Sequence, residues 1–155
     1  MAGAVDASVA GLFKIPAEGG APVRLHTRPS SNPVWSLDEA LIVFAGANVG
    51  PTAPLLAVHP DGSRIEFPGV EIKREGQRVR FLPNGKALVY MQGLRAQQDF
   101  LLLDLATRKT RRLTRLGNPA AMQSFDVTSD GKQIVFDRRW ENSDIVLIDL
   151  PPRGK

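Results

Sequence analysis

Residues 128–150 read TSDGKQIVFDRRWENSDIVLIDL: a polar turn, an apolar run, a charged break and a second apolar run. The first nine residues of this stretch have two counterparts upstream, SLDEALIVF from residue 36 and LPNGKALVY from residue 82. From 36 to 82 and from 82 to 128, each step is 46 residues without a gap. Self-similarity at a period of about 40–50 residues indicates a repeat architecture.

Each copy is predicted to form an antiparallel β-hairpin, at 33–45, 78–91 and 123–137. The turn residues predicted to be structural are Asp38, Asn84, Gly85, Asp130 and Gly131. Asn-Gly and Asp-Gly pairs favour tight turns because they tolerate positive φ, and their side chains bond backbone N–H groups of the turn. The first copy has Asp-Glu at this place, so its turn is expected to be of a different type.

Further runs complete each unit. A third run follows each hairpin, at 54–58, 100–105 and 144–150, and a fourth is predicted at 111–114 and, more weakly, at 64–67. Runs at 11–16 and 22–27 look like the third and fourth strands of an earlier, incomplete unit. Four short strands per repeat are typical of a propeller blade. The run at 144–150 is apolar on both alternating faces, as stacking between two blades requires.

The predicted fold is therefore all-β, with about three four-stranded antiparallel propeller blades that make up half of a propeller. An N-terminal tail covers 1–10, the blades cover 11–150 and a C-terminal tail covers 151–155. Helical solenoids of similar period would need a 3.6-residue apolar spacing, which this chain does not show.

The units resemble the TolB-type, WD-like β-propeller repeat, whose core reads roughly W/F-S-P-D-G-K-x-I-x-F and is followed by D-I-x-x-x-D-L. The residues that carry the resemblance are Trp35, Ser36 and Asp38 in the first copy, Pro83, Asn84, Gly85, Lys86 and Tyr90 in the second, and Ser129, Asp130, Gly131, Lys132, Ile134, Phe136, Asp144, Ile145, Asp149 and Leu150 in the third. Leu37 and Glu39 depart from the pattern. The ending also resembles the C-terminal propeller region of bacterial Tol-like or kinase-associated proteins. This resemblance implies a propeller that binds a protein or peptide.

Three blades are too few to close a ring, since closed propellers usually have four to eight. An open arc would expose an apolar blade face and strand edges to water. The chain is therefore expected to form a homodimer with one six-bladed ring, in which the first residues supply the strands that the last blade lacks. The alternative is a piece of a longer polypeptide.

The composition sets broad limits on the class of protein. Hydrophobic residues make up 43% and charged residues 23%, which is ordinary for a soluble globular protein. With no Cys, the chain has neither disulfides nor a thiolate nucleophile. No apolar run is long enough to cross a bilayer and no signal peptide is recognisable, so no membrane association is expected. The expected location is cytoplasmic, or periplasmic if the chain is cut from a longer precursor.

The sequence offers few catalytic groups. His26 and His59 are the only histidines, they lie in unlike contexts, and no metal-ligand spacing surrounds them. Serine-nucleophile and phosphate-loop motifs are absent. The chain is therefore predicted not to be an enzyme and not to require a cofactor or metal.

Two tryptophans are interpreted differently. Trp35 falls in an inner-strand column and is expected in the core. Trp140 lies in the charged loop DRRWENSD, where an aromatic ring beside Arg138 and Arg139 could anchor a partner. The alternative for Trp140 is packing over the edge of its blade.

Two functions follow as hypotheses. The first is a non-enzymatic scaffold that binds a protein or peptide through loops at the propeller rim. The second is a small-ligand or carbohydrate-binding propeller, lyase-like in form, that would use polar channel residues on the inner strands. Its candidate residues are Arg78, Arg80, Gln123 and Asp126. The basic segments 72–80 and 107–115 leave nucleic acid as a minor alternative partner, although such segments are more often solvated edges.

Overall fold

The computed structural model describes residues 9–74, 79–94, 97–117 and 120–140, and these form an all-β structure. Its strands are β1 (Leu12–Lys14), β2 (Val23–His26), β3 (Ser31–Trp35), β4 (Ile42–Ala45), β5 (Thr52–Val58), β6 (Arg64–Ile65), β7 (Glu71–Lys73), β8 (Val79–Phe81), β9 (Ala87–Gln92), β10 (Asp99–Asp104), β11 (Thr110–Arg112), β12 (Phe125–Val127) and β13 (Ile134–Phe136). None of the four ranges contains a helix able to span a membrane. The predicted fold class is confirmed.

The strands pair into four antiparallel sheets. Blade 1 has the order β3-β4-β5-β6, and blade 2 has the order β8-β9-β10-β11. The N-terminal pair is β1-β2 and the third hairpin is β12-β13. The predicted third run of the last unit, at 144–150, lies outside the described residues. The described part of the chain is thus two full blades flanked by two half-blades, which is half of a propeller.

The three hairpin turns share one backbone frame. In each, an N–H donates to the carbonyl three residues earlier: Glu39 to Ser36 (3.0 Å), Gly85 to Leu82 (2.8 Å) and Gly131 to Thr128 (2.8 Å). The φ angles of these donors are +55°, +68° and +70°. The expectation of a different turn type in the first copy was wrong. The shared hydrogen-bond frame imposes positive φ on a glutamate, although such a backbone angle disfavours side chains with a Cβ.

Side chains at the same repeat position stabilise each turn through hydrogen bonds. The Oδ1 atoms of Asp38, Asn84 and Asp130 accept backbone N–H groups from Ala40 (3.1 Å), Lys86 (3.0 Å) and Lys132 (3.1 Å). In the first and third turns a hydroxyl adds a second bond to that oxygen, from Ser36 (2.5 Å) and Thr128 (2.6 Å). Since Leu82 stands at this place in the second turn, Asn84 has no such hydroxyl donor.

Three apolar clusters hold successive units together. Ile42, Phe44 and Val58 of blade 1 pack against the N-terminal pair. Val43, Ala45 and Leu55 lie on the opposite face of blade 1 and pack against blade 2 through residues such as Leu88, Tyr90 and Leu103. Val89, Met91 and Phe100 in turn pack against the third hairpin, through Phe125 and Phe136. Each blade therefore buries both faces, as stacked blades must.

The valine that recurs at the same position of all three hairpins is buried in the first two and exposed in the third. Val43 and Val89 are 0% and 1% exposed, whereas the equivalent Val135 is 65% exposed. Its neighbours Ile134 and Phe136 face blade 2, so Val135 points to the opposite side of the third hairpin. We call this side the open face. No described residue covers it as blade 2 covers Val43.

Trp35 corrects one expectation, because it is 45% exposed rather than part of the core. It pairs with Ile42 and so shares the face that packs against the N-terminal pair. That pair supplies only two strands of a unit. The equivalent residues Phe81 and Val127 do pack against a preceding full blade.

Strand β7 was not predicted. It pairs with β5 through Ala53 and Ile72, and Ile72 is 1% exposed in the cluster between blades 1 and 2. The first basic segment therefore begins in a strand with a buried side chain rather than in a solvated loop.

Candidate interaction surface

The residues that follow β13 form an exposed surface, which we call the 138–140 cluster. Arg138 places its guanidinium carbon 5.5 Å from the ring centroid of Phe136, within cation–π range. Arg139 is fixed through its backbone, which exchanges hydrogen bonds of 2.8 and 3.0 Å with Ala121. Trp140 is 64% exposed, so it does not pack closely over the described part of its blade. The cluster thus presents an aromatic ring and two cations to solvent on a fixed backbone.

Asp137 fixes the base of this cluster. Its Oδ1 accepts the N–H groups of Gln123 (2.7 Å) and Ser124 (3.0 Å), and its Oδ2 accepts the Ser124 hydroxyl (3.1 Å). Burial raises the pKa of Asp137, but these hydrogen bonds outweigh it and hold the pKa below its usual value. The sequence reasoning missed this residue. The available signal was an acidic residue in the column that holds Ala45 and Met91 in the other copies.

Phe136 connects the cluster to an apolar groove. The groove, about 420 Å³ in volume, lies between blade 2 and the third hairpin. Its apolar lining includes Leu82, Phe100, Leu102, Leu113, Ile134 and Phe136, and Arg111 and Lys132 also line it. The Phe136 ring packs edge-on against Phe100, at 5.3 Å between centroids, while Arg138 lies over it. No acidic side chain is among the described residues that line the groove.

The proposed channel residues are only partly brought together. Arg80 and Asp126, 46 residues apart on neighbouring inner strands, form an ion pair with Nε 3.2 Å from Oδ1. Arg80 also donates to the carbonyl of Val79 (3.0 Å), and the same Asp126 oxygen accepts its neighbour's N–H. The backbone N–H of Gln123 donates to Asp137, which is not a member of this pair. Arg78 lies outside the described residues.

The two basic segments occupy different elements. Lys73 lies on β7, is half-buried, and donates to the carbonyl of Met122 (2.8 Å). Arg111 and Arg112 lie on β11, the exposed edge strand of blade 2, where Arg112 is 3.7 Å from Asp99. Lys73 and the two arginines of β11 therefore lie on strands of different sheets.

The two histidines contact different groups. His26 Nδ1 is 3.1 Å from the Ser30 hydroxyl, and His59 Nδ1 is 3.1 Å from the Ala40 carbonyl. Within the ranges that the structure covers, no group of three metal-ligating side chains occurs.

Comparison with known proteins agrees with the fold. No protein-family model matches the sequence, and no curated protein matches it. Among solved structures, TolB of Acinetobacter baumannii superposes with a TM-score of 0.65 at 20% identity, covering 84% of this chain and 33% of that one. A protein of Agrobacterium tumefaciens assigned as TolB gives 0.64 at 18%, covering 87% and 48%. An oligogalacturonate lyase in complex with manganese gives 0.60 at 19%, covering 82% and 35%.

These matches concern part of each larger protein. The chain spans about a third to a half of the length of the solved structures named above. At such low identities the likeness shows the fold, which is the TolB-like β-propeller. The resemblance found in the repeats is thereby confirmed at the level of fold.

Proposed function

We propose that this TolB-like propeller segment is a non-enzymatic scaffold that binds an extended protein or peptide segment carrying apolar and acidic side chains. The observation that supports the proposal is that Phe136 contacts both the groove and Arg138. One ring both lines the apolar groove and supports Arg138. The groove is therefore continuous, through Phe136, with Arg138 at the start of the 138–140 cluster.

The chemistry of this surface favours such a partner. The groove offers apolar walls for one or two side chains, which is the main source of affinity in peptide recognition. Arg111, Lys132 and Arg138 add cations along it. Acidic partner residues would be attracted to these cations, which mainly raises association rate and specificity.

Trp140 is the proposed anchor of the partner. Exposed tryptophans and arginines are enriched among the few interface residues that carry most of the binding energy. Its 64% exposure leaves the indole available for contact.

The channel-ligand hypothesis has weaker support. The likeness to a lyase is of fold, and Arg80 and Asp126 neutralise each other across 3.2 Å. A ligand would have to displace this ion pair before it could use either charge.

We also propose that the chain self-associates through its open face. Val135 occupies a position that is fully buried in the other two copies. At the other end of the row of units, Ile15 and Val23 of the N-terminal region are 59% and 51% exposed. Two copies joined through these ends would form the six-bladed ring expected from the repeat count.

The test is selection of peptides from a displayed random library on the full chain, followed by fluorescence anisotropy with the selected peptides. We expect sequences that combine apolar residues with Asp or Glu, and saturable binding. Trp140→Ala should weaken binding at least about tenfold, as loss of an interface anchor does. Arg138→Gln should weaken it several-fold.

Matched controls are available in the chain. Trp35→Ala removes another exposed indole and Arg108→Gln another exposed arginine, and neither residue lines the groove. Neither should change the affinity. Peptides that bind the Trp140→Ala and Arg138→Gln variants as tightly as wild type would reject the proposed surface. Loss of binding only in Arg80→Gln would favour the channel instead.

A further inference from the structure

A second concavity lies at the opposite side of blade 1 from blade 2. It is about 480 Å³ in volume and lies between the residues that follow β2 and the outer strands of blade 1. Pro54 and Leu56 of β5 contribute apolar walls, together with the exposed Val49. Volumes of this size are typical of sites for small molecules.

The polar groups of this pocket are all neutral or basic. His26, Arg28 and Arg64 line it, and Thr27 adds a hydroxyl. Acidic side chains are missing from the described residues of its lining. In the part of the chain that the structure describes, neither Arg28 nor Arg64 has a carboxylate within ion-pair distance. Two arginines thus line one pocket, and no described carboxylate forms an ion pair with either.

His26 is held in place by contacts outside the pocket. His26 Nδ1 lies 3.1 Å from the Ser30 hydroxyl, 3.3 Å from the Arg28 carbonyl and 3.4 Å from the Arg28 backbone nitrogen. The Ser30 hydroxyl donates to the same Arg28 carbonyl (2.9 Å). The imidazole also packs against Phe44, with 5.1 Å between ring centroids. With Nδ1 engaged by these groups, Nε2 is the nitrogen left for a ligand, and it donates to an anion when it carries a proton. A fixed ring with one committed nitrogen is pre-organised for recognition.

We infer that this pocket binds a small organic anion, a carboxylate or a phosphate ester with an apolar body. The planar guanidinium group matches both anions because it can donate two parallel N–H bonds. The apolar walls provide a place for the body of the ligand. This site shares no residue with the surface proposed above, so either can fail without the other.

The experiment is isothermal titration calorimetry of the full chain with three probes of similar shape: phenyl phosphate, benzoate and benzyl alcohol. We expect saturable binding of at least one anion at millimolar affinity or better, and much weaker binding of the neutral alcohol. Arg28→Gln and Arg64→Gln should each weaken anion binding about tenfold, in line with loss of a charge-assisted hydrogen bond. Comparison of phenyl phosphate with benzoate identifies which anion the pocket prefers.

Arg115→Gln is the matched control, since Arg115 is exposed and does not line this pocket. It removes the same charge and should leave the affinity unchanged. Equal weakening by Arg115→Gln would reduce the effect to general charge attraction and overturn the inference, as would absence of saturable anion binding. Nuclear magnetic resonance of the wild-type chain provides a second measurement without any variant. Phenyl phosphate should shift the signals of His26 and Leu56, and unshifted signals would also overturn the inference.

Discussion

At position 39 a glutamate adopts a φ of +55°, in the column where the other copies have glycine at +68° and +70°. Left-handed backbone costs an L-residue roughly 1–2 kcal/mol, and glycine avoids most of that cost. Replacing Glu39 with glycine would remove this cost, but glycine also raises the entropy of the unfolded chain, which offsets part of the stabilisation.

We therefore expect Glu39→Gly to raise the free energy of unfolding by about 1 kcal/mol. Gly85→Ala should lower it by a similar amount, because no atom crowds that position and only the backbone angle is unfavourable. Equilibrium urea denaturation measures both changes. Gly69→Ala is the control, since it also has open space but no positive φ. A lower stability for Glu39→Gly would contradict this account of the turn.

The acidic turn residues couple stability to pH. The Ser36 hydroxyl and the Ala40 N–H lower the pKa of Asp38 below 3.8, and the Thr128 hydroxyl and the Lys132 N–H do the same for Asp130. A depressed folded-state pKa gives stability that is fully present above the unfolded value and is lost as pH falls through the folded value. These turns should therefore weaken in acid, below about pH 4.

Asp130→Asn should reduce the loss of stability between about pH 6 and about pH 3, because an amide accepts the same bonds without titrating. Thermal unfolding of the variant and the wild type at both pH values measures the difference. Asn84→Asp is the reciprocal change and should increase the loss. An unchanged pH dependence in both variants would show that the turn carboxylates do not contribute to it.

Sequence reasoning succeeded at this scale where a side chain acts locally. An Asp or Asn in a turn bonds the N–H two residues later whatever surrounds it, so its role follows from its position. The backbone angle of Glu39 could not be predicted in the same way. The hydrogen bond from the Glu39 N–H to the Ser36 carbonyl, which has equivalents in the other two turns, accompanies that angle against the local preference.

At the scale of elements, alternation along each strand decides which blade a side chain meets. Val89 is buried between blade 2 and the third hairpin, and Val135 has the same place in its own strand but points to the open face. The two residues have the same chemistry and local sequence, and they differ in what covers them.

We expect Val89→Ala to lower the free energy of unfolding by about 2 kcal/mol, because two buried methyl groups leave and a cavity remains. Val135→Ala should change it by less than about 0.5 kcal/mol in the monomer, as exposed substitutions do. Chemical denaturation at low protein concentration measures both. Equal losses would mean that Val135 is covered even in the monomer.

The strands of the hairpins were predictable because period-two alternation and turn residues lie close together in sequence. Strand β7 was not, since a single apolar residue, Ile72, stands between two charged residues within a basic run. Its role depends on β5, which lies about 20 residues earlier in the chain. The apolar groove beside the 138–140 cluster was likewise beyond prediction, because it arises from the packing of two units.

At the scale of the whole molecule, the main feature is the exposed apolar residues at the two ends of the described row of blades. The repeat count predicted an arc with exposed faces, and Val135 is the residue that carries this exposure at one end. The sequence could not show that the N-terminal pair would cover blade 1 yet leave Trp35 exposed.

If two copies close one ring, light scattering coupled to size-exclusion chromatography should give a mass near twice 16.9 kDa at micromolar concentration. Val135→Glu should shift this mass to that of a single chain, because a charge on the open face opposes apolar contact. Leu37→Glu is the control, since Leu37 is 62% exposed but lies in a turn. A wild-type monomer would reject the dimer.

The three apolar clusters each join only successive units, so no single core runs through the described part of the molecule. Because each unit contacts only its neighbours, the units can unfold one at a time rather than all together. Under a pulling force on its two ends, the protein should lengthen in discrete steps as one unit after another unfolds. A repeat of 46 residues released in this way adds about 150 Å of extended chain.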